Sequence, residues 1–177
     1  GEIRDGETAD IAIRSALTGH LIFSTIHTND AVSSIGRLID MGVEPYLVAS
    51  VLEGALAQRL ARRICEDCKK QVPLSDNLSH RLTTGERTMF GNGMWIGEGC
   101  EKCNHSGSKG RVGFFELVVV NAELRAAISD NRSAADLTAS LPQSHITMRQ
   151  DAFAKAASGI TTIGEVLRAT QDTDIDY

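Results

Sequence analysis

The stretch His20-Leu21-Ile22-Phe23-Ser24-Thr25-Ile26-His27-Thr28-Asn29-Asp30 decides the fold class. Its apolar, β-branched and aromatic run predicts a buried strand over 20–27 that opens into a polar turn. Upstream, Thr8 to Leu17 sets Ile11, Ala12 and Ala16 at helical spacing behind the acidic Asp5 and Glu7, and Gly19 stops that helix. Downstream, Asn29 or Asp30 caps a helix whose apolar face is Ala31, Ile35, Leu38 and Ile39, closed by Gly42. Pro45 starts a further helix to about Glu53, and Ala55 to Ile64 reads as a strand. Helix and strand in alternation predict an α/β fold, a layered sheet with helices on its faces.

The chain has 177 residues, 42% hydrophobic and 23% charged, enough to bury a core without disulfides. Its net charge of -5 provides no global basic field for nucleic acid. Apolar stretches such as Phe114 to Val120 are too short to span a bilayer, so no transmembrane segment is expected. The opening Gly1-Glu2-Ile3-Arg4-Asp5 is polar, unlike a secretory leader, and lacks Met; it reads as the interior of a longer chain.

Cys65-Glu66-Asp67-Cys68 and Cys100-Glu101-Lys102-Cys103 are two matched CxxC knuckles with 31 residues between them. Each lets two thiolates face one centre, and two together complete the tetrahedron that Zn²⁺ prefers. Four thiolates leave no position for water, so the expected metal is structural. They also leave a charge of about -2, which Arg62, Arg63, Lys69, Lys70 and Lys102 are placed to offset. Two disulfides, an iron–sulfur centre and a redox pair are the other readings of this pattern. Nucleic-acid binding would need exposed aromatics and excess basic charge. Between the knuckles the aromatics are Phe90 and Trp95, and acidic residues interleave the basic ones.

The knuckles enclose a polar, glycine-rich stretch with little helical pattern beyond Asn77 to Leu82. Gly110 to Val120 resumes as a strand, and helices follow at Ala122–Ser129, Ala134–Leu141, Met148–Ala157 and about Thr162–Ala169. Thr161-Thr162 with Glu165 suggests a capping box, and the acidic tail Asp172–Tyr177 reads as frayed. His80 and His145 have no companions and read as surface residues. His105 follows a centre whose four positions are already filled. His20 and His27 sit at odd spacing on their strand, so they face opposite ways. His27 ends at the polar turn, where open α/β sheets bind ligands. Gly1-Glu2 is weak alone, although a carboxylate at a strand end is how P-loop ATPases polarise the attacking water.

Taken together, these motifs resemble the ATPases of type II secretion and type IV pilus extension. Gly1-Glu2-Ile3-Arg4-Asp5 with Glu7-Thr8-Ala9 is similar to the end of that family's Walker B motif. Ser15 to His20 and Ser24 to Ala31 are similar to its His box, and Ala57-Gln58-Arg59-Leu60 to the approach to its zinc insertion. Gly110-Arg111-Val112-Gly113, Glu116-Leu117, Thr147-Met148-Arg149 and Gly159-Ile160-Thr161-Thr162 resemble its C-terminal part. The resemblance implies a RecA-like P-loop NTPase fold: half of its core in 1–64, a zinc subdomain in 65–103, and a return strand with C-terminal helices in 104–177. It implies Glu2 as the water-orienting carboxylate and His27 as the γ-phosphate sensor. His20 and Arg4 would support the nucleotide site, and Arg59 would lie at a subunit interface. Zn²⁺ on Cys65, Cys68, Cys100 and Cys103 places the chain with assembly ATPases, since the retraction branch typically lacks those cysteines. The implied setting is a homo-hexamer using ATP and Mg²⁺, cytoplasmic and peripheral at the bacterial inner membrane, working with platform and adaptor proteins.

No G-x-x-x-x-G-K-[ST] occurs in the sequence, and Gly107-Ser108-Lys109-Gly110 has its composition in the wrong order. These residues alone should therefore be inactive, holding half a site. A zinc-stapled protein-binding module without catalysis is the competing reading. If the motor reading holds, Glu2 and His27 must converge.

Overall fold

In the computed structural model, residues 1–170 are described; the tail Asp172–Tyr177 lies outside them. α1 (Gly6–Leu17) starts where Asp5 accepts the Thr8 N–H at 2.8 Å, and it ends before Gly19 at φ +92. α2 (Ser33–Asp40) is anchored by Asp30, whose two oxygens accept the Ser33 N–H and hydroxyl, each at 2.7 Å. α3 (Pro45–Val51) has its proline in the first turn, where no N–H is required. It leads into β1 (Gly54–Ile64).

The stretch expected to be irregular holds β2 (Lys69–Val72), α4 (Asp76–Ser79), α5 (Thr84–Thr88) and β3 (Met94–Gly97). Thr83 and Glu86 make a capping box at the start of α5. β2 and β3 pair antiparallel, with Lys69 opposite Gly97 and Val72 opposite Met94. A 3₁₀ turn (Glu101–Cys103) precedes β4 (Ser108–Val119), and α6 (Ala122–Ser129), α7 (Ala134–Ala139), α8 (Met148–Ala157) and α9 (Ile163–Thr170) follow. β1 and β4 form a ribbon that is antiparallel, because Val120 N–H bonds Glu53 C=O near one end and Cys65 N–H bonds Gly107 C=O near the other.

In place of the expected layered sheet, the described residues form two two-stranded sheets and one parallel bridge, Glu2 to Thr25. The 20–27 strand is likewise corrected. Only Thr25 of it forms a bridge among the described residues, and Leu21 is 78% and Phe23 84% exposed. A strand buries the side chains of a face only where other elements cover that face. Among the described residues it pairs with the Gly1–Ile3 segment alone, through Ile3 N–H to Thr25 C=O at 2.8 Å and Thr25 N–H to Gly1 C=O.

Two units form separate cores. The first, Gly1–Ala57 with Glu116–Ile146, buries Ala9, Ile35, Val48, Val118, Leu124 and Ile128. Within it, His145 is not at the surface as its lack of companions suggested. Its side chain is 10% exposed, with Nε2 3.2 Å from Glu116 Oε1. The pair is 29 positions apart in the sequence and belongs to no periodic pattern.

The second unit, Gln58–Phe115 with the described residues 147–170, contains the whole 65–103 stretch. Phe90 packs edge-on against Phe153 of α8, with centroids 6.1 Å apart. Arg149 of α8 donates to both Glu86 oxygens, at 2.6 and 3.1 Å. The Arg149 bond is also the first reason the Glu86 carboxyl titrates below its ordinary value. Trp95 and Lys69 lie against Gly159, which turns at φ +74. The stretch between the knuckles therefore draws its core from helices far downstream. At α9 only half of the expected capping box forms: Thr162 accepts the Glu165 N–H at 3.2 Å, but the Glu165 carboxylate turns to Arg62 and Arg168.

Candidate active site and metal centre

Glu2 sits where the extended Gly1–Ile3 segment meets Thr25, and His27 lies two residues past that bridge. The Ser24 hydroxyl donates to Gly1 C=O at 2.6 Å, fixing the two segments beside each other. The side chains converge: His27 Nε2 is 2.5 Å from Glu2 Oε1. Arg4 occupies the other oxygen, with Nε at 2.7 Å and Nη2 at 2.6 Å from Oε2. That hydrogen bond holds the Glu2 carboxyl below its ordinary pKa, outweighing the loss of water around it, and the charges of Arg4 and His27 add to the effect. Glu2 is thus kept ionised while His27, 90% exposed, is unconstrained by packing.

His20 is bonded elsewhere. Its Nδ1 lies 3.1 Å from the Thr18 hydroxyl and 3.2 Å from Ser15 C=O, bracing the end of α1. Arg59 is exposed on β1.

The four cysteines form the second centre, and all four sulfurs lie within 4.8 Å of one another. Neighbouring sulfurs are 3.9 Å apart for Cys65–Cys100, 3.8 Å for Cys68–Cys103 and 3.7 Å for Cys100–Cys103. A tetrahedral centre with metal–sulfur bonds of about 2.3 Å has edges of about 3.8 Å, so the cage has the size zinc requires. Disulfides, with sulfurs at about 2.05 Å, do not match these separations. Backbone N–H groups point at the sulfurs, from Gly99 to Cys68 at 3.3 Å and from Cys100 to Cys103 at 3.2 Å.

The surroundings of the thiols are unequal. Burial pushes Cys68 up to about 12 and raises Cys100, whereas backbone donors from Cys100 and Gly107 draw Cys103 down to about 6. The four sulfurs are close enough together to hold one metal ion.

The expected basic screen is mostly engaged otherwise. Arg62 bonds Glu165, Lys70 pairs with Glu98, and Arg63 and Lys69 pair with Glu66. Lys102 is held by Asp67 at 2.5 Å, and Cys100 and Cys65 add to the rise in its pKa. Each of these basic side chains is paired with a carboxylate. Phe90 is 3% exposed and Trp95 half-buried beneath Lys69, so neither offers an open stacking platform.

Among the described residues no helix is long and apolar enough to cross a membrane. Residues 1–168 match the family model for Type II/IV secretion system proteins. The chain is 44% identical over 172 residues to the type II secretion system protein E of Dickeya dadantii, covering 97% of this chain and 34% of that protein. It is 46% identical over 171 residues to the type IV pilus assembly ATPase PilB of Thermus thermophilus, covering 96% of this chain and 19% of that protein. The crystal structure of the pilus retraction motor PilT with bound ADP superposes with a TM-score of 0.64 at 26% identity, over 98% of this chain and 39% of that one. The Legionella pneumophila ATPase DotB shares the fold, with a TM-score of 0.59 at 19% identity over 94% of this chain and 36% of that one. The chain spans about a third of the length of its type II secretion relative. With its α/β architecture of the RecA-like P-loop class, its four clustered cysteines and a family match running from Gly1 through Arg168, the chain belongs to the type II/IV secretion system ATPase family.

Proposed function

We propose that this chain is the C-terminal part of a homo-hexameric motor that hydrolyses ATP to assemble pilins or pilin-like subunits, in type II secretion or type IV pilus extension. The observation that carries this reading is the 2.5 Å approach of His27 to Glu2 at adjoining strand ends, in a chain of that family. Glu2 orients the attacking water and His27 meets the γ-phosphate. His20 and Arg4 support the nucleotide site, and Arg59 lies at a subunit interface. Mg²⁺, when bound with ATP, neutralises charge on the phosphates. Zn²⁺ on the four cysteines is structural. The motor works at the cytoplasmic face of the inner membrane, against platform and adaptor proteins. Because no phosphate-cradling loop occurs in residues 1–177, this stretch alone turns over no ATP.

The test is Glu2→Gln in the full-length ATPase. Steady-state hydrolysis falls about 100-fold or more while ATP binding persists, because the lost carboxylate acts on water and not on the nucleotide. Undiminished turnover would refute the reading.

A further inference from the structure

The two oxygens of Glu2 are treated differently. Two nitrogens of Arg4 converge on Oε2, at 2.7 and 2.6 Å, while Oε1 faces His27 Nε2 at 2.5 Å. A fork-to-fork pair would engage both carboxylate oxygens; here the guanidinium grips one and leaves the other free of it. The two residues are two positions apart in the sequence. Among the described residues, Glu2 is the one partner of the Arg4 guanidinium, whose side chain is 74% exposed.

We propose that Arg4 is a positioning residue: it pins Oε2 of Glu2 and turns Oε1 toward the reacting water. This rests on reading Glu2 as the water-orienting group. It differs from a direct contact of Arg4 with the nucleotide, for which the guanidinium would have to leave Glu2. The grip needs both charge and fork. Lysine supplies only the charge, and glutamine supplies neither.

The experiment uses the full-length ATPase with saturating MgATP across a pH series, comparing Arg4→Gln, Arg4→Lys, Glu2→Gln and the double variant, with ATP affinity measured for each. The charged groups facing Glu2 are Arg4 and His27. Arg4→Gln is expected to lower kcat about tenfold with KM for ATP within about twofold, and to move the acid limb to higher pH. Arg4→Lys keeps the acid limb in place but does not restore kcat. In the Glu2→Gln background, Arg4→Gln costs nothing further. A raised KM with unchanged kcat would assign Arg4 to nucleotide binding and overturn the proposal, as would a wild-type kcat and acid limb in Arg4→Gln. Should Glu2→Gln itself retain turnover, the reading of Glu2 fails. Should Glu2→Gln be inactive while Arg4→Gln is fully active, the role of Arg4 alone fails. Arg4→Lys, which keeps the charge, carries the test if the neutral variant does not fold.

Discussion

Glu165 and Arg62 are 103 positions apart, yet the Glu165 carboxylate accepts the Arg62 backbone N–H at 2.7 Å and its guanidinium at 2.8 and 3.0 Å. Arg168 adds a further bond at 2.7 Å, and the carboxylate is 6% exposed. One buried anion thus ties α9 to β1. Burial alone would raise its pKa, but the Arg168 and Arg62 hydrogen bonds overcome that and lower it to about 2. Glu165→Ala is expected to destabilise the fold by about 2–3 kcal/mol, read from the urea midpoint at neutral pH.

The same group sets an acid limit. Its folded pKa of about 2 lies below the ordinary 4.5, so its contribution is fully present above about pH 4.5. It is lost progressively as pH falls from about 4.5 toward 2. Urea midpoints of wild type and Glu165→Ala should therefore converge over that window. A constant gap down to pH 2 would contradict the assignment.

Metal removal should be felt beyond the knuckles. Purified protein is expected to carry one zinc per four thiols, and Cys100→Ser to lose most of it. Because Phe90 and Glu86 are fastened to α8, amide exchange should quicken in α8 as well as in residues 65–107. Zinc-free protein with unchanged exchange would remove the metal from the folding argument.

Gly97 and Gly107 cross with no space between them. A Cβ on Gly97 would fall 1.9 Å from the Gly107 carbonyl oxygen, and Gly107 itself sits at φ +71. This crossing brings one knuckle beside the chain that leaves the other, since Cys65 N–H bonds Gly107 C=O. Gly97→Ala is expected to cost on the order of 2–3 kcal/mol and to weaken zinc retention in a chelator competition.

Glu86 and Arg149 should be coupled energetically. Single replacements Glu86→Gln and Arg149→Met, with the double variant, are expected to give a coupling energy of about 1–2 kcal/mol from thermal unfolding. Additive losses would mean that the short distances carry no energy.

Sequence pattern resolved what depends on near neighbours. The starts of α3 and α6 stand where proline and cap signals put them, α1 begins two residues and β1 one residue before the expected start, and the four cysteines paired by spacing lie together. The small hairpin Lys69–Val72 with Met94–Gly97 left no mark, because its polar residues are stabilised by Trp95 meeting Lys69 and Gly159 rather than by alternation. Glu165 read as a capping residue because its downstream partner was visible and its distant one, Arg62, was not. His145 looked solitary for the same reason. The approach of His27 to Glu2 came within reach only through the order of several motifs, since neither residue alone sets a distance.

The segment carrying Leu21 and Phe23 has a consequence for handling the protein. Both side chains stand bare on a segment whose one bridge among the described residues is to Glu2. An oily ribbon with open amides is adhesive toward another like itself. Prepared as residues 1–177 alone, the polypeptide should turn cloudy as it is concentrated, and a lysine in place of Phe23 should keep such solutions clear.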